Sequence, residues 1–210
     1  SFTGPQTFYQ ITLIAAGVCG TDTTTTFIDL NPQPLLTSTA AQVICEGQSA
    51  TVSVTAVGGN PGYSYSWNGS GTISCVTCSS TTVSGLSPGT TYPYTVTVTD
   101  AFGCTSTATS LVTVNPRPVI SANDTTICSG SPVNIKITSS VANTSFVWAT
   151  PTQVNANGGT ASTANQTVIS NTLNTTNNIQ GTVSYSIAGT ANNCTSVSPK
   201  VVLVRVNPIP

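Results

Sequence analysis

The chain has 210 residues, of which only 4% are charged, against about 25% in a typical soluble protein. Its four basic residues are too few to neutralise a nucleic-acid backbone, which argues against nucleic-acid binding. Because the chain has no histidine, it offers neither a Ser–His or Cys–His catalytic pair nor a His-ligated metal. We therefore expect no enzymatic activity, no cofactor and no metal site.

The sequence also argues against a membrane-spanning helix and indicates where the protein is located. A helix that spans a bilayer needs about 20 consecutive apolar residues, and no run in this chain approaches that length. The sequence has neither a starting Met nor a signal peptide, so we expect a processed or excised piece of a longer protein. A neutral surface rich in Thr suits an environment outside the cell. The predicted location is therefore extracellular, at a cell surface, with no membrane span in this segment.

The chain reads from end to end as short strands with a period of two. Turn signals separate these strands, and no stretch shows helical periodicity. Residues 9–34 read as two strands around a turn that holds Cys19. The alternating apolar positions that follow fall in two similar sets: Val52, Val54, Tyr63, Tyr65, Trp67, Tyr92, Tyr94, Val96 and Val98, then Ile135, Ile137, Phe146, Trp148, Val183, Tyr185 and Ile187.

A phrase of the form Asn–Pro–x–Pro occurs three times, at the end of three strand patterns. The spacings are 84 residues (31 to 115) and 92 residues (115 to 207). Proline cannot donate to a strand ladder, and the residue before a proline is held extended, so the phrase predicts a stiff, extended linker between units. The predicted linker residues are Asn31, Pro32, Pro34, Asn115, Pro116, Pro118, Asn207, Pro208 and Pro210.

These linkers divide the chain into three predicted parts. Residues 1–34 form the C-terminal hairpin of a preceding repeat. Residues 35–117 and residues 118–210 each form one β-sandwich, somewhat shorter than the usual ~100 residues. The predicted fold class is all-β, with antiparallel immunoglobulin-like β-sandwiches in tandem. The third linker, at the end of the chain, predicts that the array continues beyond residue 210.

Seven cysteines leave one without a partner, which calls for an explanation in an exported protein. The stretches "VICEGQ" (43–48) and "TICSGS" (126–131) put Cys45 and Cys128 at the same place in their units. Each unit then has a second cysteine before its last strand, so we predict the pairs Cys45–Cys104 and Cys128–Cys194. Cys19 occupies the second position of a truncated unit and is predicted to be unpaired within the chain. Reduced, metal-binding cysteines are the alternative.

Cys75 and Cys78 form a CxxC that occurs in the first full unit alone. Such a pair can be a redox site or half of a zinc site. No helical pattern surrounds it and no second CxxC exists, so a short-range structural disulfide in a loop is the prediction.

Two aromatic positions and one acid have competing interpretations. Trp67 and Trp148 lie at similar places in alternating strands, which predicts core residues, although an aromatic on a sandwich surface can also stack on a sugar. Asp100 can supply one oxygen to a calcium ion, but calcium needs six or more ligands. A turn-stabilising role is therefore the prediction for Asp100.

The segments "PGTTYPYTVTVTDAFGC" (88–104) and "SYSW" (64–67), with the Asn–Pro–x–Pro joints, resemble a known group of repeats. These are the PKD-like, immunoglobulin-like repeats of very large Bacteroidota surface proteins, including gliding-motility adhesins and type IX secretion substrates. The resemblance implies a structural role, and it implies possible O-glycosylation at Thr23 and Thr125, each in an Asp–Thr–Thr sequence. The second unit departs from the pattern through a polar insertion at 150–178.

The leading hypothesis is a structural repeat segment of an extracellular adhesin, stalk or filament. Its partners would be neighbouring repeats of the same protein or identical subunits. One alternative is a self-assembling filament in which the hairpin at 1–34 completes another sandwich by strand addition. Another is a polysaccharide-binding module that uses the insertion at 150–178 and exposed tyrosines.

Overall fold

The computed structural model describes residues 7–163 and 166–210. The chain divides into two compact units, Ser1–Val114 and Asn115–Pro210. The sequence predicts a boundary after residue 117, so the structure assigns the second linker to the unit that follows it. Within the described residues every regular element is a β-strand.

The first element is a hairpin whose strands carry no second layer among the described residues. Strand β1 (Thr7–Gly17) pairs antiparallel with β2 (Gly20–Leu30) as a sheet of two strands. The register places Tyr9 opposite Ile28, and both side chains are exposed. The alternation of β-branched and polar residues thus forms strands, but Ile11, Leu13 and Ile28 on one face remain exposed.

The first full unit has two sheets of four strands each. Its strands are β3 (Leu35–Ser38), β4 (Gln42–Cys45), β5 (Ala50–Val57), β6 (Ser64–Asn68), β7 (Thr72–Ile73), β8 (Ser80–Ser84), β9 (Thr90–Thr99) and β10 (Thr105–Asn115). The sheet orders are β3-β5-β8-β7 and β4-β10-β9-β6. This is the ABED and CFG arrangement of an immunoglobulin-like sandwich, with β4 added beside the last strand.

Strict alternation along the strands builds the core between these sheets. Strand β9 buries Tyr94, Val96 and Val98 completely, while the threonines between them point outward. Strand β5 supplies Val52 from the opposite sheet. Each wholly buried aliphatic side chain stabilises the fold by roughly 1.5–3 kcal/mol relative to an exposed one. The alternation with a period of two therefore determines which face of each strand is buried, and this burial stabilises the unit.

The second unit has the same layers with more interruptions. Its strands are β11 (Ile120–Ser121), β12 (Thr125–Cys128), β13 (Ser131–Pro132), β14 (Ile135–Lys136), β15 (Thr138–Ser139), β16 (Ser145–Trp148), β17 (Thr152–Val154), β18 (Ala156–Asn157), β19 (Val168–Ile169), β20 (Thr172–Thr175), β21 (Gly181–Ala191), β22 (Cys194–Thr195) and β23 (Lys200–Asn207). The main sheet has the order β12-β23-β21-β16, and β17 and β22 also pair with β21. Strand β12 runs parallel to β23, whereas the other pairs in this sheet are antiparallel.

The opposing layer of this unit consists of short ladders, β11-β15, β13-β20-β18 and β14-β19. Backbone hydrogen bonds continue between them, from Val133 N to Asn171 O (2.8 Å) and from Ile137 N to Thr167 O (2.9 Å). The polar segment 150–178 therefore contributes strands to the sandwich. The predicted all-β, immunoglobulin-like class is confirmed by this arrangement.

The first prediction concerns the two tryptophans, each 4% exposed inside its own core. Trp67→Ala and Trp148→Ala should each destabilise the unit that contains the change by about 3–5 kcal/mol, because a large cavity replaces the ring. Guanidinium unfolding followed by far-UV circular dichroism measures this loss. Phe102→Ala is the control, since Phe102 is 55% exposed and should change stability by less than about 0.5 kcal/mol. Equal losses in all three variants would contradict the assignment.

Candidate functional site

The first linker lies against turns of the unit that follows it. Pro34 is buried, and Gly59 approaches the linker closely. A Cβ on Gly59 would lie 3.2 Å from Pro34 N and 3.4 Å from Pro32 O, and the φ of Gly59 is +63°. The Cys104 thiol lies 3.9 Å from the Asn31 carbonyl oxygen. The linker is thus seated between the loop at Gly59 and the turn that ends in Cys104.

Asp100 organises that turn. Its Oδ1 accepts hydrogen bonds from Phe102 N (3.0 Å) and Cys104 N (2.8 Å), and its Oδ2 accepts one from Asn60 N (3.0 Å). The hydrogen bond from Asn60 is the largest of the effects that lower the pKa of this carboxyl, with smaller ones from Cys104, Phe102 and Gly103, against a contribution from burial that raises it. An oxygen pair occupied by N–H donors stabilises a turn and suits a cation poorly.

The second linker lies against the equivalent turn of the second unit. Asn115 Nδ2 donates to Asn192 O (3.1 Å), and an Arg117 guanidinium N–H donates to Thr195 O (2.8 Å). Pro118 is buried, as Pro34 is in the first copy. Both linkers therefore begin the following unit in the same way, docked on the turn before its last strand.

The turns themselves have different chemistry. Asn192 (φ 49°) and Asn193 (φ 61°) connect Ala191 to Cys194 as a two-residue hairpin turn with positive φ at both positions. Asparagine tolerates this conformation better than other residues with a side chain. The contact of Arg117 and the paired asparagines were missed by sequence reasoning, although "NNC" after an alternating strand is a hairpin signal.

At the opposite pole of the second unit, Cys128 lies beside the third linker. Cys128 is the Cα partner of Asn207 in the parallel ladder, and Ser129 N donates to Asn207 O (2.8 Å). Gly130, with φ 83°, turns the chain after Cys128. In the first unit, Cys45 ends β4 and is followed in the same way by Gly47 with φ 80°.

The predicted long-range disulfide pairs differ from the structure. Cys104 and Cys128 are free thiols, so neither Cys45–Cys104 nor Cys128–Cys194 is formed. Cys45 and Cys194 are disulfide-bonded, and Cys19 is free, at the exposed tip of the hairpin.

Strand geometry gives the reason in the second unit. Cys194 pairs with Ala191 at one end of β21, while Val206, the neighbour of Asn207, pairs with Gly181 at the other end. Ten residues at about 3.3 Å each separate these ends by roughly 33 Å. A disulfide requires Cα atoms within about 7 Å.

The short CxxC closes a disulfide between Cys75 and Cys78. Trp67 Nε1 donates to Cys78 O (2.8 Å), and Trp67 N donates to Val76 O (2.8 Å). The loop thus supplies acceptors for a buried indole, which is a structural role. Neither residue lies in a group of three metal-ligating side chains, since the described part of the chain contains no such group.

The second unit meets the same requirement without cysteines. Trp148 Nε1 donates to Thr160 O (3.1 Å), and Trp148 N donates to the Ser162 hydroxyl (2.9 Å). Residues 160–162 of the polar segment thus occupy the role that the CxxC loop has in the first unit.

The remaining predicted sites are less accessible than the sequence indicates. Tyr63, Tyr65 and Tyr92 are half-buried against the core, so part of each ring packs inside the sandwich. A hollow of about 550 Å³ on the outer face of β6 and β9 is lined by Ser, Thr, Asn, Gly and Pro without an aromatic side chain. Thr23 is exposed, whereas Thr125 is half-buried in β12. O-glycosylation stays a prediction at both.

Residues 125–210 match the family model described as a PKD-like domain. This is the second unit without its linker and first short strand. No curated protein matches the chain. In the part of the chain that the structure describes, no helix is long and apolar enough to cross a membrane.

Several solved structures are similar at low identity. The fibronectin(III)-like modules of Clostridium thermocellum CbhA are 13% identical over 83% of this chain and 95% of theirs, with a TM-score of 0.34. Drosophila N-cadherin EC1-4 is 14% identical over 98% of this chain and 58% of its own, with a TM-score of 0.46. The insect immune protein hemolin is 11% identical over 96% and 56%, with a TM-score of 0.45. The chain thus spans little more than half of the latter two, and similarities of this size carry no argument about function.

The second prediction concerns the stability of the first unit at acidic pH. Because the folded-state pKa of Asp100 is lowered, its ionised form stabilises the first unit above the ordinary Asp pKa of about 3.9, and this stabilisation is lost as pH falls through the folded-state value. Thermal unfolding between pH 2 and pH 6 should show the loss, and Asp100→Asn should reduce it. Asp29→Asn is the control for removal of one charge from an exposed strand. An unchanged acid dependence in Asp100→Asn would refute this role.

Proposed function

We propose that this chain is a structural repeat segment of an extracellular adhesin, stalk or filament, in which immunoglobulin-like sandwiches are joined by stiff linkers. The observation that carries the proposal is the docking of the first two Asn–Pro–x–Pro linkers on the units that follow them. The Asn31 carbonyl lies against Cys104, and Arg117 donates to Thr195. Such a joint would fix the orientation of neighbouring repeats and transmit tension between them. This role requires no catalytic or ligand-binding residue.

Three physical contributions act together at each joint. Proline fixes φ and restricts the preceding residue, so the free chain has few conformations to lose. Burial of Pro34 and Pro118 adds an apolar contact to the following unit. Hydrogen bonds from Asn115 and Arg117 then fix the register of the linker on the turn.

The composition supports a surface role. Only nine side chains are charged, and the outward positions of β9 are threonines, so exposed surfaces depend little on pH or salt. In this proposal the protein has no enzymatic activity, and its partners are neighbouring repeats or identical subunits.

The third prediction tests the joint. Pro116→Gly with Pro118→Gly should uncouple the rotation of the two units, because the backbone gains conformations and Pro118 no longer packs. Backbone ¹⁵N relaxation of the reduced chains measures this as two rotational correlation times in the double variant and one in the parent. Pro61→Gly, in an exposed turn, is the matched control and should leave one correlation time. Two correlation times in the parent chain would exclude a stiff joint.

The exposed hairpin supports a second candidate, a filament that assembles by strand addition. Tyr9, Ile11 and Leu13 occupy the positions that Tyr94, Val96 and Val98 hold in β9. The latter three are 0% exposed, whereas the former are 43%, 48% and 65% exposed. Ile28 and Leu30 extend the same face on β2. This face has the pattern of a sandwich core whose opposing layer is not among the described residues.

The occupant that fits this face is the missing half of a repeat, with strands equivalent to β3, β5 and β8. In the first unit these strands contribute Val52, Val54 and Val83 against β9. The proposed partner is therefore a segment of the same kind of repeat, from the same polypeptide or an identical subunit. The hydrogen-bonding edges of β1 and β2 would take further strands.

The fourth prediction tests strand addition. Ile11→Asp should weaken the binding of a separately added segment of residues 35–86, which carries free copies of β3, β5 and β8, because a charge would enter the new core. Sedimentation velocity at increasing concentration of this segment measures the effect. Thr12→Asp is the matched control, since it places the same charge on the neighbouring residue and the opposite face. Equal effects of the two changes would argue against a core-like contact.

A further inference from the structure

The cysteines outside the CxxC fall into two positional classes. Tip cysteines lie in the turn before the last strand of a unit: Cys19, Cys104 and Cys194. Edge cysteines end the strand beside that last strand and precede a glycine with positive φ: Cys45 and Cys128. Each full unit has one cysteine of each class.

Each of the two classes contains both a disulfide-bonded cysteine and a free thiol. One edge cysteine, Cys45, and one tip cysteine, Cys194, are disulfide-bonded. Their counterparts in the other unit, Cys128 and Cys104, are free thiols, and Cys128 is exposed while Cys104 is partly exposed. The same two positions in a unit therefore support a disulfide in one copy and a free thiol in the other.

Both classes lie beside the Asn–Pro linkers. The edge cysteine Cys128 is the ladder partner of Asn207, from which the chain leaves its unit. The tip cysteine Cys104 lies 3.9 Å from the carbonyl of Asn31, from which the chain enters its unit. An edge cysteine thus lies beside the linker that leaves its unit at Asn207, and a tip cysteine lies beside the linker that enters its unit at Asn31.

We propose that Cys104 and Cys128 are halves of disulfides between consecutive repeats. Cys128 bonds the tip cysteine of the repeat that follows, and Cys104 bonds the edge cysteine of the repeat that precedes. The proposal rests on the tandem-repeat function above. Pairing of Cys128 with Cys194 within the second unit is excluded by the roughly 33 Å that separates its two poles, and Cys104 is a free thiol in the first unit.

The chemistry requires a two-electron oxidant. Two thiols form one S–S bond and release two protons and two electrons. A disulfide oxidant such as oxidised glutathione accepts them through thiol–disulfide exchange and leaves as two reduced thiols. An extracellular location provides the oxidising conditions in which such bonds persist.

The test appends a second copy of residues 118–210 after Pro210 and equilibrates the purified chain with reduced and oxidised glutathione, so that mixed disulfides on unpaired thiols are reversed. The 210-residue chain has three free thiols, Cys19, Cys104 and Cys128. The appended copy adds one edge and one tip cysteine. We expect the count of free thiols under denaturing conditions to stay at three, because the original Cys128 is joined to the Cys194 of the appended copy.

A Cys128→Ser change in the original unit distinguishes the possible pairings. It should raise the count to four, because the tip cysteine of the appended copy loses its partner. A count of two would mean that the appended copy had bonded its own two cysteines, and a count of five in the unsubstituted chain would mean no bond at all. Either result overturns the proposal. Relaxation measurements on the reduced 210-residue chain test the stiff linker separately. Failure of the disulfide proposal can therefore be distinguished from failure of the proposed function.

Discussion

The long central hairpin of each sandwich is the constraint on which the other features depend. In the second unit, β21 pairs with β23 from Gly181↔Val206 to Ile187↔Lys200, and the turn at Asn192 lies beyond this ladder. One end of the hairpin bears the tip cysteine and receives the linker that enters the unit. The other end is where the next linker begins. Core burial of Val183, Tyr185 and Ile187 fixes that register, because a slip by one residue would expose all three.

The two units satisfy one structural requirement with different sequences at the buried tryptophan. The indole N–H needs an acceptor once the ring is inside the core. A disulfide-closed loop supplies Cys78 O in the first unit, and an open polar segment supplies Thr160 O in the second. Neither loop then needs a catalytic or ligand-binding explanation. Both units therefore place a backbone carbonyl oxygen at the indole N–H, although the residues around that oxygen differ.

Composition and periodicity predict much of this structure, because strand alternation is a local property. The fold class and the alternation of buried and exposed side chains along the strands follow from residues close in sequence. The cysteine pairing could not be predicted in this way. Alignment of the repeats shows that Cys45 and Cys128 are equivalent, but the end of the sandwich at which each lies depends on the parallel pairing of β12 with β23. The interruption of the second layer likewise depends on which residues of 150–178 find partners.

The parallel pairing of β12 and β23 has a mechanical consequence for a repeat under tension. Force on a chain that enters at Asn115 and leaves at Asn207 pulls β12 and β23 in opposite directions along their length. Their four register pairs, from Thr125↔Val204 to Cys128↔Asn207, are then loaded together in shear. A ladder in shear must break its hydrogen bonds as a group, whereas an antiparallel hairpin pulled from its open end breaks them one at a time. Disulfides between repeats would carry load between the poles of neighbouring sandwiches and bypass this ladder. The cysteines at the poles would then strengthen the joints between repeats, whereas the ladder of β12 and β23 resists extension within one repeat.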